Sequence, residues 1–127
     1  MLEEAGMNER NKVLRAKLLK FALRCLKLFR ALPRVEEARV YGKQMLRSSS
    51  SVGSNHREAC RARSTAEFEA KIGDCLKEAD ETAYWLELIR LAELVPSEKM
   101  ADLEDEANQI VAMLVTILKN SKSGNDE

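Results

Sequence analysis

Turn residues are scarce in this sequence. Five glycines and two prolines among 127 residues leave little of the punctuation an all-β chain needs, and long helices are favoured. No run of about 18 apolar residues occurs, so no membrane-spanning helix is expected. The first residues carry Glu3 and Glu4 and no apolar stretch, which argues against a signal peptide, while the three cysteines, read as reduced thiols, argue for a cytoplasmic protein. There is one histidine, His56. It has no Glu three residues before it, as a di-metal carboxylate bundle requires, and no Cys-His or Ser-His-Asp spacing surrounds it. Ser51 and Ser54 stand near it only because that stretch is rich in serine, so His56 reads as a partly exposed helix residue. No glycine-rich phosphate loop is present. Catalysis, metal and cofactor are therefore not expected. Three cysteines, Cys25, Cys60 and Cys75, are an odd number at no metal spacing and read as reduced thiols within helices.

Net charge is also lacking, yet the charge is unevenly placed. Residues 1–63 hold 15 Lys/Arg against 6 Asp/Glu, and residues 64–127 hold 6 against 15. Such polarity either marks a basic surface for nucleic acid or lets two halves neutralise each other within the bundle or between subunits.

Apolar spacing divides the chain into four helical segments. From about Asn8 to Leu32, ahead of Pro33, Leu14, Leu18, Phe21, Cys25, Leu28 and Leu32 form a 4-3-4-3-4 seam. In the second segment Ala38, Tyr41, Met45, Val52 and Ala59 share a face. Residues 48–55, four serines and then Val-Gly-Ser-Asn, read equally as a loop or as a helix held by close packing. The third begins at a capping box, Ser64 to Glu67, and carries Phe68, Ile72, Cys75, Ala79, Thr82, Leu86 and Ile89 to an end near Leu94. Ser97 caps the fourth, expected over about 98–120, whose seam is Leu103, Ala107, Ile110, Leu114 and Ile117. Short connections make neighbours antiparallel, so the expected fold is all-α: an up-down-up-down four-helix bundle over residues 1–120, with 121–127 as a disordered tail.

Three groups of residues are candidates for function. Lys17, Lys20, Arg24 and Lys27 form a basic stripe on the first helix, and Arg57 and Arg61, with Arg63, form a second basic cluster. Either could contact phosphates of RNA or single-stranded DNA, the alternative being a solvated or intersubunit charge face. Leu19, Leu23 and Leu26, together with Tyr84, Leu88 and Leu91, lie off the seams and would leave an exposed patch too large for a monomer, so a homo-oligomer is expected. Gln44, Ser51, Asn55, Glu58, Glu78 and Glu81 are candidates for buried polar groups that set helix register. A protein partner in place of nucleic acid is the second reading.

Three stretches carry a resemblance to a known family. Gln44-Met45-Leu46-Arg47, followed by Ser51-Val52-Gly53-Ser54-Asn55 and Glu58, is similar to Q-I-R-R…S-I-x-x-N-I-x-E-G. Arg63-Ser64-x-x-Glu67-Phe68 is similar to S-x-x-E-F, and Leu76 to Leu86 resembles L-K-E-x-x-E-T-x-Y-W-L. In this order they resemble the four-helix-bundle proteins encoded in 23S ribosomal-RNA intervening sequences. The resemblance implies that residues 48–55 continue the second helix. Relatives include accessory proteins of diversity-generating retroelements, which form pentameric rings and bind nucleic acid and a reverse transcriptase. A pentamer is thus what the resemblance implies here. His56 stands where the family has an apolar residue, and Ala59 where it has glycine.

Overall fold

The structure, a computed structural model, describes residues 8–124. Four α-helices account for most of them: α1 (Glu9–Ala31), α2 (Glu36–Cys60), α3 (Thr65–Leu91) and α4 (Ala101–Lys122). Consecutive helices pack together, and α1 also packs against α4, which leaves α1 and α3 on diagonal corners. Cross-helix contacts fix the directions. Along α2, Gly42 meets Phe29 and Leu32 while His56 meets Asn11, so α1 and α2 run oppositely. Arg47 to Glu81 and Lys71 to Glu58 do the same for α2 and α3. Arg90 to Glu104 and Ser121 to Glu69 do so for α3 and α4, and Arg24 to Glu106 with Lys17 to Gln109 for α4 and α1. The chain is an antiparallel up-down-up-down four-helix bundle.

The four seams meet in one core. Leu14, Leu18, Phe21, Cys25, Met45, Val52, Ile72, Leu86, Ile89, Ile110 and Leu114 are all at 1% exposure or less. Helix ends follow local chemistry. Asn8 caps α1 by accepting from the Asn11 amide (2.9 Å), and Ser64 caps α3 by accepting from the Glu67 amide (3.0 Å). Glu67 reaches back to the amide of Arg63 (2.9 Å), one residue earlier than a standard capping box. α3 stops at Leu91, and Glu93 takes a positive φ of 58°, costly for a residue with a Cβ. Ser97 does not cap α4: residues Ser97–Lys99 form a 3-10 turn, and α4 starts behind the fully buried Met100. At its far end α4 continues through Lys122, where Ser121 is buried and donates to Glu69 (2.8 Å). Residues 125–127 of the expected tail lie outside the described residues.

Helix α2 is continuous through residues 48–55, so the loop alternative is overturned. Its serines do not compete with the backbone by breaking it. Ser48, Ser49, Ser50, Ser51 and Ser54 each bond a carbonyl three or four residues earlier on the same helix. Small side chains let the neighbours approach: a Cβ at buried Gly42 would lie 2.7 Å from Leu32 Cδ1 and 2.9 Å from Phe29 Cδ1. Packing overrides the low helix propensity of the segment.

Candidate functional site

The basic stripe of α1 faces a groove against α4. Lys17, Lys20 and Arg24 line it together with Asp102, Asp105, Glu106 and Gln109. Arg24 Nη1 pairs with Glu106 Oε1; Lys17 Nζ lies 3.9 Å from Glu106 Oε2 and 3.5 Å from Gln109 Oε1. Glu106 is buried, so this contact is a fixed part of the α1–α4 interface. Half of the stripe thus follows the neutralisation alternative. Lys20 and Lys27 are exposed and have no ion pair with a described residue.

The second basic cluster sits on the outer side of α2. Arg39, Lys43, Arg57 and Arg61 share one line of the helix by their spacing, with Ser50 and Ser54 between the two pairs. Arg39, Lys43 and Arg61 are exposed and Arg57 half-buried. Glu58 turns instead to α3, where Lys71 binds it at 2.7 Å. Glu36 and Glu37 stand in the first turn of the same helix. The sequence reading named Arg57 and Arg61 but missed Arg39 and Lys43, although the i, i+4 spacing of each pair was available as a signal. At the α1–α2 turn a pocket is lined by Phe29, Arg30, Leu32, Pro33, Arg34, Ala38 and Arg39.

The apolar candidates split. Leu19 (52% exposed) and Leu23 (64%) lie on the outside of α1 beside half-buried Leu26. Tyr84 (56%) and Leu91 (63%) lie on the outside of α3 beside half-buried Leu88. Because α1 and α3 are diagonal, these are two faces on opposite corners of the bundle and not the single patch expected from the sequence. The α3 face adjoins an acidic groove lined by Asp80, Tyr84, Glu87, Arg90, Glu104 and Asn108.

The register residues also need correcting. Gln44 and Glu58 are exposed, and Ser51, Asn55, Glu78 and Glu81 are only half-buried, because their spacing puts them on the flanks of α2 and α3 beside the core. Glu78 and Glu81 still tie α2 to α3 from the edge. Arg47 bonds both (3.2 and 2.5 Å), and Glu81 also accepts from Trp85 Nε1 (2.9 Å), with Trp85 stacked on Tyr41 at 6.0 Å. The Trp85 bond first, and Arg47 second, hold the Glu81 carboxyl below its usual pKa, while the carboxylates raise that of Arg47. The polar groups inside are others: Ser48, Ser49, His56 and Thr82 are wholly buried, and Asn11 nearly so. Thr82 Oγ1 lies 2.7 Å from Ser48 Oγ, joining α2 to α3.

His56 is fully buried, not partly exposed. Its Nε2 lies 3.0 Å from Asn11 Oδ1, so Nε2–H donates to the amide oxygen, and Nδ1 has no partner among the described residues. Burial, with Arg15 adding repulsion, lowers its pKa to about 4 and keeps it neutral at pH 7. Burial pushes the Cys25 and Cys75 thiols up to about 12, so neither is an activated nucleophile. No cluster of three or more metal-type ligands occurs among the described residues, and no helix there is long and apolar enough to cross a membrane.

Comparison with known proteins agrees with this architecture. No curated protein matches the sequence. A crystal structure at 1.70 Å of a protein of unknown function from the S23 ribosomal protein family of Bacteroides thetaiotaomicron is 38% identical. The match covers 87% of this chain and 98% of that one, with a TM-score of 0.80. Residues 10–116 match the model of the 23S rRNA-intervening sequence protein family, and the chain belongs to that family.

Proposed function

We propose that the protein is a non-enzymatic, self-assembling accessory protein that binds nucleic acid, RNA in the first instance, through the outer row of α2. One observation carries the reading: Arg39 and Lys43, exposed, and Arg57, half-buried, share an outer row and have no ion pair with a described residue, whereas Lys17 and Arg24 of the α1 stripe are held by Glu106. Phosphate contacts need available cations. The row lacks aromatic side chains, so the binding is backbone-directed and indifferent to sequence. A gel-shift series on mixed RNA and single-stranded DNA tests it. Retention should fall steeply with salt, by about 0.7 to 0.9 log units per contact for each log unit of salt. Lys43→Gln with Arg57→Gln should flatten that dependence more than Lys17→Gln with Arg24→Gln. No retention at low salt removes the nucleic-acid reading and leaves a protein–protein adaptor, for which the exposed leucines would be the docking residues.

Self-assembly is supported by the two apolar faces. They differ in charge, the α1 face carrying Lys20 and Lys27 and the α3 face Asp80 and Glu87. Unlike faces on opposite corners join head to tail, and a closed head-to-tail set is a ring. Five copies is the number the family resemblance implies. Repetition around a ring would multiply a weak basic row by avidity. A stable 14.4 kDa species in light scattering at micromolar concentration would overturn assembly. Leu23→Glu with Leu26→Lys should dissociate it.

A further inference from the structure

The α1–α2 turn gathers arginine from three local settings. Arg30 ends α1, Arg34 lies in the connection after Pro33, and Arg39 belongs to the first turns of α2. All three line a pocket at this turn, together with Phe29, Leu32 and Pro33. The floor is fixed: Phe29 and Leu32 pack on the core and close on Gly42, and Pro33 holds its own φ. Three arginines elsewhere in the bundle have carboxylate partners, Arg24 with Glu106, Arg47 with Glu78 and Glu81, and Arg90 with Glu104. Arg30, Arg34 and Arg39 have none among the described residues, although Glu36 and Glu37 stand in the next turn, exposed. Three arginines lining one pocket gather like charge, which a bound anion would offset.

We propose that this pocket binds a phosphate group, presented by a nucleic-acid strand, as the anchoring contact of the interface proposed above, on whose reading it rests. The planar fork of a guanidinium matches two oxygens of an oxyanion. A carboxylate offers two oxygens in one plane, whereas a phosphate at the end of a strand offers three in a tetrahedral array, one toward each arginine. Because Arg39 belongs both to the pocket and to the outer row of α2, a strand anchored here runs on toward Lys43 and then Arg57. The apolar, prearranged floor reduces the ordering cost of binding.

The test uses the intact protein and inorganic pyrophosphate as probe, with chloride at matched ionic strength as control. Arginine side-chain N–H signals are followed by NMR. Saturable shifts of Arg30, Arg34 and Arg39, with Arg24, Arg47 and Arg90 unmoved, support the pocket. Equal shifts in every exposed arginine, or the same shifts with chloride, overturn it. The triple change Arg30→Gln, Arg34→Gln, Arg39→Gln should weaken RNA retention by about tenfold or more at low salt and reduce the salt slope by about one. The three-lysine version should keep the slope but recover only part of the affinity. Thermal melting checks that these exposed changes leave the bundle folded. If the wild type retains RNA and the triple variant retains it equally, the pocket proposal falls while the nucleic-acid reading stands. If the wild type retains no RNA, the strand is excluded as the source of the phosphate whatever the titration shows.

Discussion

Helices α2 and α4 both flank α1, and they are built on opposite plans. Toward the core α4 presents Leu103, Ile110, Leu114 and Ile117, an aliphatic seam that sequence periodicity identifies at once. α2 presents Ser48, Ser49, His56, Val52, Met45 and the backbone of Gly42. Toward α1's cations α4 offers Glu106, and α2 offers none on its outer row. One helix contributes apolar volume and neutralises charge. The other contributes close approach and internal hydrogen bonds, and leaves Arg39, Lys43 and Arg57 without ion pairs to described residues. The difference teaches that a bundle seam can be made from small polar groups, provided each finds a partner inside.

The comparison can be broken in four places. The largest effect is expected in α4: Leu114→Ala removes a fully buried side chain and should cost about 3 kcal/mol, read from urea unfolding. An effect below that of Ser48→Ala would deny α4 its role as the main apolar seam. Next is the pH response of α2. His56 has a folded pKa of about 4, below its unfolded value of 6.5, so the unfolded chain binds more protons between these values. Its contribution is fully present above pH 6.5 and is lost as pH falls toward 4, by up to roughly 3 kcal/mol. His56→Leu should flatten the stability profile in this window; parallel profiles for the two proteins would refute a neutral buried imidazole. Glu106→Gln comes third. It should cost on the order of 1 kcal/mol by releasing Arg24 and Lys17, and it should raise RNA retention if those cations can reach phosphate. Ser48→Ala is the smallest, about 1 kcal/mol or less, since Thr82 keeps its bond to the Glu78 carbonyl (2.8 Å).

The same contrast explains what was legible in the sequence. Seams in α1, α3 and α4 follow from spacing alone because aliphatic side chains repeat every three to four residues. In α2 the buried set includes Ser48, Ser49 and His56, whose chemistry favours surfaces and turns, so continuity came there only from the family resemblance and the burial of His56 was not read at all. The register candidates failed for a related reason: long polar side chains such as Gln44 and Glu81 act from the edge, and the groups inside are short hydroxyls. The basic stripe and its neutralisation by the acidic half of the chain were both legible as alternatives; the choice between them was not, because Glu106 lies 82 residues from Arg24 and that pairing is a property of the fold. Likewise the exposed leucines of α1 and α3 were found correctly as residues. Only the arrangement of helices at diagonal corners shows that they form two faces.

Burial of two cysteines has a practical consequence. Cys25 on α1 and Cys75 on α3 are fully buried, with thiols pushed up to about 12. An alkylating reagent at neutral pH meets almost no thiolate there until the helix pair separates. Trapping rates at the two sulfurs therefore time how often each side of the molecule opens, by the same logic as amide exchange. Equal rates would mean that diagonal helices open as one unit, and unequal rates that one comes away first.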